Sequence, residues 1–378
     1  MSQTRSTNPF RPGSGIFPPL LSGRAPETAM LQARVARTRE GHPQHTALLG
    51  EWAIGKTTLL MRWRRRLQES GDRVVLTMAY PQSRDDFLAG LANAVAAEAG
   101  GGWTAKVDLE VGLDVGVADA RVRKPVRAAD NELRAALRRA AHAGHRRTLV
   151  IMVDDVDLVA TPGDALLQLR AIALELYAAD VAIAFVVSAS PGLLGSIRGA
   201  HEPLVRFFEP ITLGPLDEAA AVEAITKPLT ETDIAFADEV VAEIVELSGG
   251  RPYYLQKLAY FAFDAAEGGR VGRPEFAVAF EHAFASVSQE IFAVRWSAMA
   301  PAERHVVSVV ASATVARASG EIEREAARLE IAPPATRQAL RRLAARGHID
   351  RLANGQRGRY AVSDRLFRRY LELRACDR

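Results

Sequence analysis

Eight residues constrain this chain more than any others. Gly50-Glu51-Trp52-Ala53-Ile54-Gly55-Lys56-Thr57 read G-x-x-x-x-G-K-[ST] in full, between a short apolar run, TALLG (46–50), and a helical pattern over 56–69. A loop of this composition between a strand and a helix turns its backbone N–H groups inward at a helix N-terminus, where the dipole favours an anion. The chemistry that uses such a cradle is nucleotide binding. Lys56 is placed to neutralise the β and γ phosphates of ATP, Thr57 to offer its hydroxyl to Mg²⁺, and Gly50, Glu51, Trp52, Ala53, Ile54, Gly55 and Thr58 to complete the cradle. The loop carries Trp52-Ala53 where many such loops have another glycine, so a stiffer backbone is expected. Trp52 itself is expected to pack against the loop flank.

A metal held at such a loop needs a carboxylate from a neighbouring strand, and Leu149-Val150-Ile151-Met152-Val153-Asp154-Asp155 offers five apolar residues and then two acids. Asp154 fits the metal role and Asp155 the polarisation of an attacking water. Without the phosphate loop, the same pair would read as a turn cap. Asp157 is expected to be solvated. The next apolar run, 181–187, ends in Ser188-Ala189-Ser190, a polar exit in which Ser190, or Ser188, is either a γ-phosphate sensor or a turn former. Further on, Gly249-Gly250-Arg251-Pro252-Tyr253-Tyr254 opens a helix with proline in its first turn. Arg251 reads either as a cation aimed back at the phosphates or as a plain helix-start arginine.

Organisation along the chain follows the same alternation. Short apolar runs at 46–50, 73–78, 148–155 and 181–190 alternate with helical patterns, the sequence signature of a parallel sheet buried on both faces. Between 102 and 122 the apolar residues recur with period two, which predicts a one-faced strand or hairpin inserted in the α/β core. After Pro215 the strands stop and helices follow. The expected units are an arm and helix over 1–45, the α/β core over 46–215, a helical unit over 216–292 and a final unit over 293–378.

Composition excludes several classes. The chain has 378 residues, 48% apolar and 25% charged, which is ordinary for a folded globular protein. No apolar run approaches the roughly 18 residues of a spanning helix, and Met1–Gly15 lacks the apolar stretch of a secretory signal, so a cytoplasmic protein without a membrane role is expected. The single cysteine, Cys376, has no partner for an internal disulfide. Net charge is only +3, yet 331–370 holds ten arginines against two aspartates, a local +8. Helical patterns there, followed by Gly347–Leu352 and Gly358–Val362, read as a helix-turn-helix with a two-stranded wing. The helix over 334–346 has Leu340 and Leu343 on one side and Arg337, Arg341 and Arg342 elsewhere, and Arg357 and Arg359 sit at the wing. These suit phosphate contacts to duplex DNA, while the same module also serves protein partners.

Taken together, the phosphate loop, the Asp154-Asp155 strand, the serine-ended strand and the Gly250-Arg251-Pro252 turn resemble the AAA+ and STAND ATPases. Within them the chain is similar to the prokaryotic group related to archaeal ATPases and origin-recognition initiators. The resemblance implies an α/β P-loop parallel-sheet AAA+ core, a helical lid and a C-terminal winged helix. It implies that the opening NPFRPGSG with Ser22-Gly23-Arg24 packs near the adenine, that Pro252 lies near the base, and that Arg251 holds the sensor-2 position. It also implies a homo-oligomer with a trans arginine, for which Arg198 and Arg206 are candidates. The expected activity is ATP hydrolysis, slow or partner-stimulated, with the nucleotide state controlling the winged helix. The alternative is a non-hydrolysing, nucleotide-stabilised DNA-binding or adaptor protein.

Overall fold

The computed structural model describes residues 7–13, 18, 20–99, 126–142, 148–197, 202–352 and 358–376; the period-two segment at 102–122, Arg198 and Arg357 lie outside them. After helix α1 (Ala25–Arg39) come β1 (His45–Gly50), α2 (Lys56–Glu69), β2 (Arg73–Met78), α3 (Arg84–Ala99), α4 (Val126–His142), β3 (Leu149–Asp154), α5 (Pro162–Tyr177), β4 (Ile183–Ala189), the short helices α6 (Leu193–Ile197) and α7 (Glu202–Phe207), and β5 (Phe208–Leu213). The five strands form one parallel sheet in the order β2-β3-β4-β1-β5.

Every residue of β1, β3 and β4 is buried, as continuous apolar runs require when helices cover both faces of a sheet. Alternation along each strand sends side chains to opposite faces. Val150, Met152, Ala184 and Val186 pack with Leu59, Leu60 and Trp63 of α2. Ile151, Val153, Phe185 and Val187 face the layer of α3, α4 and α5 instead. Each such side chain contributes roughly 1.5–3 kcal/mol on full burial, which fixes the register of the sheet.

The fifth strand escapes a reading based on continuous apolar runs. In β5 Phe208, Ile211 and Leu213 are buried while Glu209, Pro210 and Thr212 are exposed. It lies at the sheet edge, where a half-buried pattern and a proline are tolerated.

Helices α8 (Glu218–Leu229), α9 (Asp238–Ser248), α10 (Pro252–Asp264) and α11 (Arg273–Val287) follow, with a two-stranded ladder of β6 (Ala235–Phe236) and β7 (Arg270–Val271). A π-helical turn, Ser288–Phe292, leads into α12 (Ala293–Ser297). The last unit has α13 (Pro301–Ala311), β8 (Arg317–Ala318), α14 (Ser319–Ala327), α15 (Pro333–Ala345), β9 (Asp350–Arg351), β10 (Arg359–Ala361) and α16 (Arg365–Cys376), with its strands antiparallel in the order β8-β10-β9. One apolar core runs without a break from α8 to α16, and the rings of Phe292, Phe367 and Tyr370 meet inside it at 5.3–6.2 Å. The amino-terminal arm belongs to this body: Phe10 is buried against Phe236 and Phe263, and Asn8 donates to the Tyr260 carbonyl. No helix among the described residues is long and apolar enough to cross a membrane.

Two buried histidines act as hydrogen-bond acceptors. His45 Nδ1 accepts the Phe185 N–H at 3.1 Å while its ring stacks on Phe207 at 4.1 Å. His348 Nδ1 accepts from Arg295 Nε at 3.3 Å. Burial pushes His45 down to about 3, and burial with the nearby Arg295 and Arg346 charges does the same to His348. Both are neutral in the fold, whereas the unfolded chain binds their protons below about 6.5. Stability is therefore full above pH 6.5 and falls as the pH drops, by up to about 1.4 kcal/mol per pH unit for each ring. Denaturant titrations between pH 7.5 and 5 are expected to show this slope, and the pair His45→Gln with His348→Gln to flatten it.

Candidate nucleotide site

The phosphate loop leaves the carboxyl end of β1, an interior strand, where open α/β sheets place their ligands. Its glycines have separate reasons. A Cβ on Gly50 would lie 2.7 Å from Ile54 Cγ2, and Gly55, which starts α2, has φ +91°. The stiffness expected of Trp52-Ala53 has a definite location, because Ala53 sits in the left-handed region at φ +65°. For a residue with a Cβ that conformation costs roughly 1–2 kcal/mol. Trp52, expected on the loop flank, is instead 47% exposed.

An arginine outside the motif clamps the loop. Arg24, 4% exposed, donates through Nη2 to the Ile54 carbonyl at 3.1 Å and to the Gly214 carbonyl at 2.7 Å. It ties the loop to the segment after β5, and the only sequence signal for it was the Ser22-Gly23-Arg24 run. From the other side, the start of α10 rests on the loop. Tyr253 N–H donates to the Ala53 carbonyl at 3.3 Å, and Pro252 Cγ would lie 3.8 Å from a Cβ on Gly55. Gly250 permits that approach, since a Cβ there would meet the Leu216 carbonyl at 2.4 Å. Arg251, 6% exposed, directs Nη2 at Glu51 Oε2, 2.5 Å away.

Lys56 Nζ donates to the carbonyls of Gly50 at 3.0 Å and Glu51 at 3.3 Å, and lies 3.8 Å from Asp155 Oδ1. Asp154 is fully buried at the end of β3. Its Oδ1 accepts the Ser188 hydroxyl, and its Oδ2 has no partner among the described residues. An unpartnered, fully buried carboxylate oxygen is costly unless a cation uses it. Asp154 with the Thr57 hydroxyl at the first turn of α2 therefore fits Mg²⁺, a hard cation that takes oxygen ligands.

The two strand-end serines divide. Ser188 Oγ donates to Asp154 and accepts the Asp155 N–H at 2.9 Å, so it orients both acids. Ser190 instead donates its N–H to Asp157 Oδ2 at 2.9 Å, which gives Asp157, expected to be solvated, a defined task. Asp155 has φ +52°, and burial, then the adjacent Asp154 charge, raise its carboxyl to about 6 against the opposing pull of Lys56. A carboxylate poised there suits a general base near neutral pH.

The described arginines proposed for DNA lie on α15 and β10. On α15, Leu340 and Leu343 are buried and Arg337, Arg341 and Arg342 exposed; Arg337 pairs with Glu323 at 2.8 Å and Arg342 approaches Glu303 at 3.9 Å. Arg359 donates to the Ala316 carbonyl at 2.9 Å. Arg206, exposed on α7, pairs with Glu202 at 3.3 Å.

Two measurements check this geometry. Ala53→Gly is expected to change folding stability by less than about 1 kcal/mol, because relief of the left-handed strain offsets added chain entropy, whereas Ala53→Val is expected to cost more than about 1 kcal/mol in denaturant unfolding. In the metal-free protein, carboxyl ¹³C NMR is expected to show one group releasing its proton as pH rises through about 6, a signal absent from Asp155→Asn. Since that carboxyl titrates near 3.8 when exposed, its protonation favours the fold between those values, and the contribution is lost as pH rises through about 6.

Comparison with known proteins adds three findings. Residues 20–178 match the family model of the AAA ATPase domain. No curated protein sequence matches the chain. Among solved structures, the Walker-type ATPase of Pyrococcus abyssi superposes with a TM-score of 0.67 at 16% identity, covering 96% of this chain and 98% of that one. The ORC2 protein of Aeropyrum pernix, solved as ADPNP–ADP complexes, gives 0.62 at 13% identity over 96% and 98%. The ORC1 protein of the same organism, solved with DNA, gives 0.52 at 17% identity over 93% and 92%. Identities this low speak to the fold alone. Residues 20–178 are similar to the AAA ATPase domain, and the chain shares the mixed α/β fold, with its five-stranded parallel sheet, of solved P-loop ATPase structures.

Proposed function

We propose that this protein is an ATP-hydrolysing switch in which the state of the nucleotide sets the position of the C-terminal unit, read as a winged helix that contacts duplex DNA or a protein partner. The observation that carries the reading is that the end of α15 rests on the turn after β4, and that Gly347, just beyond α15, stands beside Glu51 of the nucleotide loop. A Cβ on Gly192, in the turn after β4, would lie 2.2 Å from the Ala345 carbonyl, and one on Gly347 would lie 3.4 Å from Glu51 Cγ. A change at Glu51 is therefore felt at the segment that follows α15.

In this reading the loop N–H groups, Lys56 and Thr58 hold the phosphates, with Pro252 covering the loop. Thr57 and Asp154 hold Mg²⁺, which when bound supplies positive charge against the developing negative charge on the phosphates. Asp155 accepts the proton of the attacking water, Ser188 keeps the two acids in register, and Ser190 reports on the far side. Arg251 contributes its charge from the lid. A polar chain continues behind it: Tyr254 Oη donates to Asp364 Oδ2 at 2.9 Å, and Arg295 Nη1 reaches the same carboxylate at 3.1 Å. Arg251 lies within electrostatic reach of Asp364, which joins the loop to the first turn of α16.

Support for DNA as the partner comes from the exposed arginines of α15 and from the ORC1 structure solved with DNA. Arg206 is the remaining described candidate for an arginine acting on a second copy.

The test is ATP turnover by the full chain, wild type beside Lys56→Ala and Asp155→Asn, with and without duplex DNA at two salt concentrations. Each substitution is expected to lower turnover by roughly 10²–10³-fold, the cost of losing one positioned charge or base. DNA is expected to stimulate the wild type at low salt and to lose its effect as salt rises. Wild-type turnover in Lys56→Ala would sink the proposal, and tight ATP binding without turnover under any of these conditions would leave a nucleotide-held adaptor in its place.

A further inference from the structure

The first variable position of the phosphate loop is free in the motif, and here it holds a carboxylate. Glu51 places a negative charge at a loop whose N–H groups serve anions, which is unfavourable for any phosphate unless that charge is compensated. Compensation comes from 200 residues away: Arg251 Nη2 lies 2.5 Å from Glu51 Oε2. Arg251 is 6–7% exposed, and a guanidinium so buried requires an anion beside it. Its backbone is fixed by a bond from its N–H to the Ser248 carbonyl at 3.1 Å and by Pro252 behind it, so only the side chain can exchange partners.

Glu51 holds the second cation as well. Its carbonyl accepts Lys56 Nζ at 3.3 Å, so Lys56 and Arg251 are both bonded to one residue. The Glu51 side chain keeps an open side, at 28% exposure, and Gly347 stands beside it, 3.4 Å from Cγ to the position a Cβ would take.

We infer that Glu51 is a specificity-determining residue that sets the preference between nucleoside di- and triphosphates, its carboxylate occupying Arg251 in place of the third phosphoryl group. This inference rests on the nucleotide-site reading above. The loop backbone and Lys56 suffice for a diphosphate, whose binding leaves the Glu51–Arg251 pair intact. A triphosphate brings a further charged group that competes for Arg251, and the displaced carboxylate turns to its open side and loses its ion pair. The loop therefore opposes the triphosphate more than the diphosphate.

The experiment measures dissociation constants of ADP and of the non-hydrolysable β,γ-imido analogue of ATP, with Mg²⁺, by competition against a fluorescent nucleotide on the full chain. Glu51→Gln is expected to raise the preference for the triphosphate analogue over ADP about tenfold, the worth of one charge-assisted bond. Glu51→Ala is expected to move it in the same direction. In an Arg251→Gln background, the Glu51→Gln effect is expected to vanish; Arg251→Lys, which keeps a cation, serves if circular dichroism shows that the glutamine variant is unfolded, and there a reduced effect is expected. An unchanged ratio in both Glu51 variants, or a shift of full size without Arg251, would overturn the inference while leaving the nucleotide site standing. If wild type binds neither nucleotide, or Lys56→Ala binds both as tightly as wild type, the nucleotide-site reading fails and the inference falls with it.

Discussion

A strand buried on both faces has no place along its length for an unpaired polar side chain, so polar chemistry is expelled to its ends. In β1, β3 and β4 that rule assembles the candidate site. Gly50, Asp154 and Ser188 terminate or nearly terminate three neighbouring parallel strands, and in-register pairing brings the strand ends together on one rim of the sheet. Helix α2 starts at that rim and adds its N-terminal N–H groups. No catalytic loop has to be ordered separately, because the apolar core that holds the sheet also aligns the acids with the phosphate loop.

The electrostatics at that rim are closely balanced. Lys56, Arg251 and Arg295 face Glu51, Asp155 and Asp364, and each cation lies within 4 Å of one acid. An entering anion therefore meets cations that already have partners and must exchange with those partners. Such exchange is slow to lose specificity, because each displaced carboxylate needs a new environment. The pairs also bridge distant segments: Asp364 precedes α16, Arg251 precedes α10, and Glu51 follows β1. One apolar core spans α8 to α16.

Some of this was readable before any coordinates. The loop, the two acids and the serine-ended strand are contiguous segments whose composition states both their backbone and their burial. Four of five strands announce themselves as apolar runs. The fifth does not, because Pro210 and the exposed Glu209 and Thr212 reflect an edge position that only the assembled sheet defines. Of the two serines offered at the end of β4, the choice of Ser188 against the acids depends on which way β4 presents alternate side chains to β3. Asp157 looked idle because its partner, the Ser190 N–H, lies 33 residues downstream.

Arg24, Glu51 and Arg251 mark where local reading ends. Each sits in or beside a segment that draws attention, yet none has a sequence pattern that names its partner. By itself the sequence determined four of the five sheet strands and the helices that alternate with them, since these depend on backbone preference and burial within a few residues. Only the tertiary structure decided that Arg24 clamps Ile54, that Glu51 binds Arg251, that Gly192 lies against the end of α15 and that Gly347 stands beside Glu51. Those contacts join residues up to 296 positions apart, and their distances are set by how whole elements pack, which no short stretch of sequence encodes.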